Sequence, residues 1–238
     1  MATSRRKAWI IGLTILVILA LLGFAQSPLF TVQNIVLQGN KTVPKEDLLA
    51  LAKVANGANI FQAPTGSISK NISLHPVVKS VSIKRQLPNT LIINVVERKP
   101  VAIIPVKNGF AKVDEQAVFL QRTDTWPQEP LPIISGIQLP ATLNLGQPID
   151  DPGLREGLKI LLGLPAELYP QVGELYAGNQ NKLALYTRDG LEIRLGLADK
   201  AAEKFAVMQS FLLDKNYKPY RVGYYVDLTT GKPVLGKR

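Results

Sequence analysis

The sequence predicts an α+β protein: a single N-terminal transmembrane helix, then two exported α+β modules, the second mostly antiparallel β with flanking helices. Three observations predict it. Residues 8–25, AWIIGLTILVILALLGFA, contain no charged side chain. Residues 30–97 read in the order strand, helix, helix, strand, strand. Short apolar runs broken by turn residues then fill most of 101–228, with two helical patterns among them.

As a helix, the apolar run is about 27 Å long and just covers a hydrocarbon core of about 30 Å. Arg5, Arg6 and Lys7 abut it, and the next charged residue is Lys41. Positive charge at one end holds that end in the cytoplasm, so 1–7 reads as a cytoplasmic stub and the chain from Gln26 as exported. A cleaved export signal is the competing reading, because Gly23-Phe24-Ala25 offers small residues at the two positions a signal peptidase reads. Cleavable apolar cores usually run about 7–15 residues, so the length here favours retention. A buried core helix would carry a polar face, and this run has none.

Of the 238 residues, 46% are hydrophobic and 19% charged, a globular composition. The absence of cysteine excludes a disulfide scaffold, thiol catalysis, a thiolate metal site and a lipoprotein anchor. Net charge is +10, of which the stub carries three, leaving +7 on the exported part. That balance favours anionic headgroups and wall polymers as weak partners. Nucleic-acid binding would want a dense basic run with interleaved aromatics, and no such run occurs.

In the first module, 30–37 (FTVQNIVL) reads as a strand whose apolar phase slips near Asn34 and Ile35, as at a bulge. Pro44 opens a helix with Glu46 and Asp47 in its first turn, where the helix dipole favours acids. Its stripe is Leu48, Leu51, Ala52 and Ala55, and Asn56-Gly57 stops it. A second helix over 65–74 is pinned by Ile68 and Ile72 and ends at His75-Pro76. Residues 79–85 alternate, Leu87-Pro88-Asn89 turns, and Leu91, Ile93 and Val95 alternate again, which is a hairpin. Three strands with two helices on one face would bury both stripes.

Lys99-Pro100 marks a boundary. The runs 101–106, 110–113 and 118–120, split by Asn108-Gly109 and Asp114-Glu115-Gln116, read as a meander. Residues 126–148, rich in Pro and Gly, read as an irregular connection. Asp151-Pro152 starts a helix carrying Leu154, Leu158, Leu161 and Leu162. Strands follow at 172–177 and 182–187, and Arg188-Asp189-Gly190 turns the chain into 191–195. Asp199 can cap a helix bearing Phe205, Met208 and Leu212. The last strand is 222–228, and 230–238 is a polar tail.

Catalytic chemistry is hard to find. The single histidine, His75, cannot make a multi-histidine zinc site. Ser69 and Lys70 are adjacent on a helix and point apart, so they cannot form a dyad. Asp114-Glu115 and Asp150-Asp151 stand where a turn and a cap need acids. There is no nucleophile elbow, Walker A loop or dinucleotide fingerprint. The expectation is no catalytic residue, no metal and no cofactor. What remains is backbone. Tyr224 and Tyr225 fall on opposite faces of the last strand, so one faces outward, either covering a sheet face or anchoring a partner. A terminal strand also offers an open edge that could accept a partner strand.

Several spaced residues resemble a known family. They are Val32, Ile35, Leu37, Gly39 and Asn40, then Asn59-Ile60-Phe61, Pro76 and Val78, and the block RQLPNTLIINVVERKP over 85–100. Together they resemble the POTRA domain of the bacterial division family FtsQ, called DivIB in Gram-positive bacteria. Val113-Asp114, the LPIISG run over 131–136, Asp189-Gly190 and YVDL over 225–228 resemble that family's β domain. The resemblance implies a stub at 1–7, a transmembrane helix at 8–25, a POTRA domain at 26–99, a β domain at 100–229 and a tail at 230–238. It implies a non-enzymatic, single-pass membrane scaffold of the division septum, N-terminus inside. The partners implied are the bitopic proteins FtsB (DivIC) and FtsL, in a complex regulating septal peptidoglycan synthesis by FtsW and FtsI type synthases. By the same resemblance, partner binding falls on Tyr225, Val226, Asp227, Leu228, Thr229 and Thr230, and Tyr224 beside them joins the candidate partner-binding residues. Two threonines stand where an arginine and an aromatic often follow D-L, so the side-chain anchors would have moved, with Tyr224 or Tyr225 the candidates. The alternative function is a membrane-anchored POTRA-type export or assembly chaperone holding clients near 79–85.

Overall fold

The computed structural model describes residues 2–55, 57–140, 142–179, 182–213, 222–230 and 232–238. The chain divides into two compact units, Met1–Glu97 and Arg98–Arg238. Asn56, read above as part of a stop signal, lies outside the described residues.

The first unit opens with α1 (Ala2–Ala25). Its large apolar side chains, from Trp9 to Phe24, are exposed. Among the described residues, no helix is long and apolar enough to cross a membrane. The continuous run of described apolar side chains starts at Trp9 and gives about 26 Å of helix, against about 30 Å of hydrocarbon.

After α1 come β1 (Asn34–Gln38), α2 (Lys45–Ala52), α3 (Thr65–Ile72), β2 (Val78–Gln86) and β3 (Thr90–Glu97). The sheet order is β1-β3-β2, with β3 parallel to β1 and antiparallel to β2. The parallel pair needs a crossover, which the two helices and β2 supply. Leu91, Ile93 and Val95 of β3 are buried against Leu48 and Ala52 of α2 and Ile68 and Ile72 of α3. The alternation of β3 and the two helical stripes therefore meet in one core.

Three local expectations are corrected. Phe30 belongs to a 3-10 turn, Pro28–Phe30, and the strand starts only at Asn34. The phase slip is the junction of turn and strand, since β1 pairs with β3 in unbroken register. Helix α2 stops at Lys53, which takes a left-handed φ of 47°, so Ala55 lies outside it, exposed. Helix α3 ends at Ile72, and Leu74 is exposed.

The residues that carried the resemblance act as fastenings. Arg85 donates from Nε to the Ile60 carbonyl (2.7 Å) and from a terminal nitrogen to the Ala63 carbonyl (3.0 Å). The Asn89 carbonyl accepts the Gln33 and Asn34 amides. Gly39 has φ +87°, and a Cβ there would stand 2.2 Å from the Val95 carbonyl oxygen, so only glycine lets β1 leave the sheet at this point. Glu97 closes the same end: its carboxylate accepts the backbone amides of Lys41 (2.8 Å), Thr42 (2.9 Å) and Val43 (3.0 Å). Partial desolvation pushes that carboxyl up, but the Val43, Lys41 and Thr42 amides outweigh it and hold it below the ordinary 4.5.

This latch gives a pH prediction. Because the folded value is depressed, its stabilisation is fully present above the unfolded value of 4.5 and is lost as pH falls through the folded value. Glu97→Ala should cost the first unit about 2 kcal/mol, a figure discounted for partial exposure. Melts at pH 7 and pH 3 check it: the gap between wild type and variant should be wider at pH 7 than at pH 3.

The second unit contains β4 (Ala102–Val106), β5 (Gly109–Val113), β6 (Phe119–Thr123), β7 (Ile133–Ser135) and α4 (Pro152–Gly163). It continues with β8 (Val172–Tyr176), β9 (Leu183–Thr187), β10 (Glu192–Gly196), α5 (Ala201–Leu213), β11 (Tyr224–Asp227) and β12 (Val234–Lys237). One nine-stranded sheet runs β12-β11-β10-β9-β8-β7-β4-β5-β6. It is parallel at β4–β7, β7–β8 and β10–β11 and antiparallel at the other pairs. Leu154, Leu158 and Leu161 of α4 and Phe205, Met208 and Leu212 of α5 share its core with Ile134, Leu175, Leu185 and Ile193. Asp151 caps α4, accepting the Leu154 amide at 2.7 Å. Asp199, expected as the cap of α5, instead accepts from Lys204 Nζ at 2.8 Å.

Two corrections matter for function. The connection at 126–148 is not wholly irregular, because β7 lies in it and joins β4 to β8, with Ile134 fully buried. The polar tail at 230–238 contains a strand, β12, and 224–228 is therefore not the terminal edge.

Candidate functional site

The end of the sheet formed by β10, β11 and β12 holds all the sequence-predicted site residues. In the register, Tyr225 faces Glu192 on one side and Gly236 on the other, and Val226 faces Ile193 and Leu235. The crossover through α5 makes β11 parallel to β10, and the Thr229-Thr230 turn returns the chain as an antiparallel β12.

The seven residues divide by face. Val226 and Leu228 are 3% and 4% exposed and belong to the core, against which Tyr224 also packs. The Leu228 amide donates to the Arg194 carbonyl at 2.9 Å. Asp227 accepts from the Thr229 amide (2.8 Å) and hydroxyl (2.6 Å), which closes the turn. The Thr229 hydroxyl, outweighing partial desolvation and helped by the Thr229 amide and Arg194, holds the Asp227 carboxyl below its ordinary value. Thr229 and Thr230 are exposed. They border an open groove of about 290 Å³ with Asp199, Lys200 and Pro233.

Tyr225 lies on the face away from the helices and is already engaged. The Arg194 guanidinium carbon stands 3.7 Å from its ring centroid. Glu192 accepts from Arg194 Nε and from Arg238 Nε, each at 2.8 Å, and Arg238 lies 5.4 Å from the Tyr186 ring. A Cβ on Gly236 would stand 2.2 Å from the Tyr225 ring. The ring therefore lies across the bare backbone of β12, a cross-strand pairing that only glycine permits. Tyr224 serves the core and Tyr225 the sheet face, so neither is the free outward anchor the sequence suggested.

Sequence reasoning missed β12 and the residues that hold it: Glu192, Arg194, Gly236 and Arg238. The only local signal was Val234-Leu235 between Pro233 and Gly236, too short for alternation to register. Among the described residues, no strand pairs with the outer edge of β12. Its main-chain donors and acceptors are the open hydrogen-bonding row of this end.

Of the residues weighed for catalysis, Ser69, His75, Asp114, Asp150 and Asp151 take structural parts. The Ser69 hydroxyl donates to the Val81 carbonyl, and His75 Nδ1 accepts the Val77 amide. Asp114 organises a turn, and Asp150 pairs with Arg155. Among the described residues, no cluster of three acidic, histidine or cysteine side chains could hold a metal.

Comparison with known proteins bears on both units. Residues 30–98 match the FtsQ-type POTRA domain, and residues 102–229 match the C-terminal domain of cell division protein FtsQ/DivIB. The chain is 27% identical to the cell division protein FtsQ of Mycolicibacterium smegmatis over 187 residues, covering 78% of this chain and 53% of that one. It is 26% identical to the cell division protein DivIB of Clostridium tetani over 214 residues, covering 87% of this chain and 80% of that one. It thus spans about half the length of the mycobacterial relative. The solved extracytoplasmic domain of DivIB from Geobacillus stearothermophilus matches 50% of this chain and 97% of its own, at 22% identity and TM-score 0.35, too loose a match for its geometry to be carried over.

Proposed function

The chain belongs to the FtsQ/DivIB family of cell division proteins, and from that premise we propose that it is a membrane-anchored, non-enzymatic scaffold of the division septum. In this reading residues 8–25 of α1 are a retained single-pass anchor with the stub 1–7 in the cytoplasm. Support comes from the charge-free run, the basic residues before it and the exposed apolar surface of α1. The POTRA module (26–99) and the β domain (100–229, here extended by β12) then lie outside the membrane. The partners are FtsB/DivIC-like and FtsL-like bitopic proteins, and the complex regulates septal peptidoglycan synthesis.

The observation that carries the docking proposal is the outer edge of β12, which no strand pairs with among the described residues. A partner segment adds there as a further strand, next to the exposed Thr229 and Thr230 and the groove beside them. Residues 224–230 take part mainly by holding that edge in register. Confinement by the anchor raises the local concentration of membrane-bound partners, so the interface itself need not be tight. Depleting the protein from its host is the test of the function. Filamentous cells without septa are expected, and normal division would overturn the reading.

A further inference from the structure

We propose that the first unit is clamped onto the membrane surface, with Phe61 and Leu29 seated in the interfacial layer of the bilayer beside the end of α1. This rests on the reading of α1 as an anchor.

Three fastenings join the end of α1 to the loop that carries Phe61. The Asn59 side-chain amide donates to the Ala25 carbonyl at 2.7 Å, satisfying an acceptor that a helix end leaves open. Phe24 and Phe61 both pack on the ring of Phe30, with centroids 5.3 Å and 5.1 Å away. The Ile60 amide donates to the Phe30 carbonyl at 2.7 Å, and the Val32 amide to the Ala58 carbonyl at 2.9 Å. The loop is held from its other side as well. Arg85 grips the carbonyls of Ile60 and Ala63, and Asn59 Oδ1 accepts the Phe61 amide at 2.9 Å.

On this fixed loop Phe61 is nevertheless 47% exposed, and Leu29, on the turn leaving α1, is 52% exposed. Neither exposure follows from a loose loop or a missing neighbour in the core. Phe24 lies in the last turn of the apolar helix, so it would stand at the boundary between acyl chains and headgroups. Packing on the same ring, at 5.3 Å and 5.1 Å, keeps Phe61 within about 10 Å of Phe24 and so within reach of the interfacial layer, where membrane proteins concentrate aromatic side chains. The anchor run is also about 3 Å short of a typical core. Leu29 and Phe61 extend its apolar surface at the short end, a low-cost answer to mismatch. No charged residue occurs from Ala8 to Asn40, so nothing on the connecting segment opposes burial among headgroups.

The native chain has no cysteine, so single nitroxide labels can be placed without further changes. Phe61→Cys and Leu29→Cys, with Leu19→Cys in the helix and Lys41→Cys on the loop latched by Glu97, would be labelled on the full chain. Each labelled protein, alone in phosphatidylcholine–phosphatidylglycerol vesicles, is probed for collision with oxygen and with a nickel chelate. The expected result is that labels at 61 and 29 fall between those at 19 and 41, as interfacial positions should, and are at least fivefold less accessible to nickel than that at 41. If 19 is in lipid while 61 and 29 are as wet as 41, the clamp is overturned and the anchor stands. If 19 is itself in water, the anchor reading fails and takes this inference with it.

Discussion

With the partner docked on β12 as proposed, Gly236→Val strips β12 from the sheet and weakens capture of the FtsB-like partner at least tenfold, a loss of about 1.4 kcal/mol. The side chain would enter the space of the Tyr225 ring, where even a Cβ stands 2.2 Å away. The ring cannot swing aside freely, because the Arg194 guanidinium covers it at 3.7 Å and Glu192 holds that guanidinium. Beta12 has only four residues and little buried surface, so it is the element that yields. Hydrogen exchange at 234–237 reads the detachment, and pull-down from detergent extracts reads the binding. Unchanged capture with a detached β12 would show that the partner docks elsewhere. The double variant Gly236→Val with Tyr225→Ala removes the clash and should restore β12. If it restores capture too, the main-chain edge is the anchor. If β12 returns without capture, the Tyr225 side chain belongs to the interface.

Asp114→Ala lowers the stability of the second unit by about 3–5 kcal/mol, the usual cost of breaking a buried ion pair from one side. Asp114 is 2% exposed, and its carboxylate bonds Arg98 at 2.6 Å and the amides of Gln116 and Val118, each at 2.9 Å. Removal would take the acceptor from two amides, that of Val118 buried, and leave the Arg98 guanidinium with Gln116 Oε1 at 3.0 Å. Asp114→Asn keeps an oxygen for the amides and gives up the charge pair, so its loss should be about half as large. Residue-resolved hydrogen exchange checks both, with protection falling across β4–β6 and staying intact across β1–β3. Equal protection in wild type and Asp114→Ala would mean that the pair contributes no net stability.

These two sites show how the sequence was legible. The Glu97-Arg98 pair was visible as part of a motif, but its chemistry was not. Glu97 serves backbone amides more than fifty residues away, and Arg98 serves a turn sixteen residues on. A motif records that positions matter. Only the fold shows that these positions fasten loops to sheets. Tyr224 and Tyr225 were legible as a pair on opposite faces, and that held. Which face was free was not legible, because it depends on Arg194 and Gly236, which pairing alone brings alongside.

The elements with strong local periodicity were determined by the sequence. The stripes of Ile68 and Ile72, the alternation of Leu91, Ile93 and Val95, and the Asp151 cap each follow from spacing of 3.6, spacing of 2 or one side chain at a helix start. Their physics is contained in a window shorter than the element. Beta7 and β12 were decided by tertiary structure alone. With three and four residues, they are too short for a pattern, and their hydrogen bonds come from β4, β8 and β11. Such a strand exists only because a sheet edge is already in place to receive it. That is why the edge of the sheet lies one strand further on, at β12, than the edge expected at 224–228.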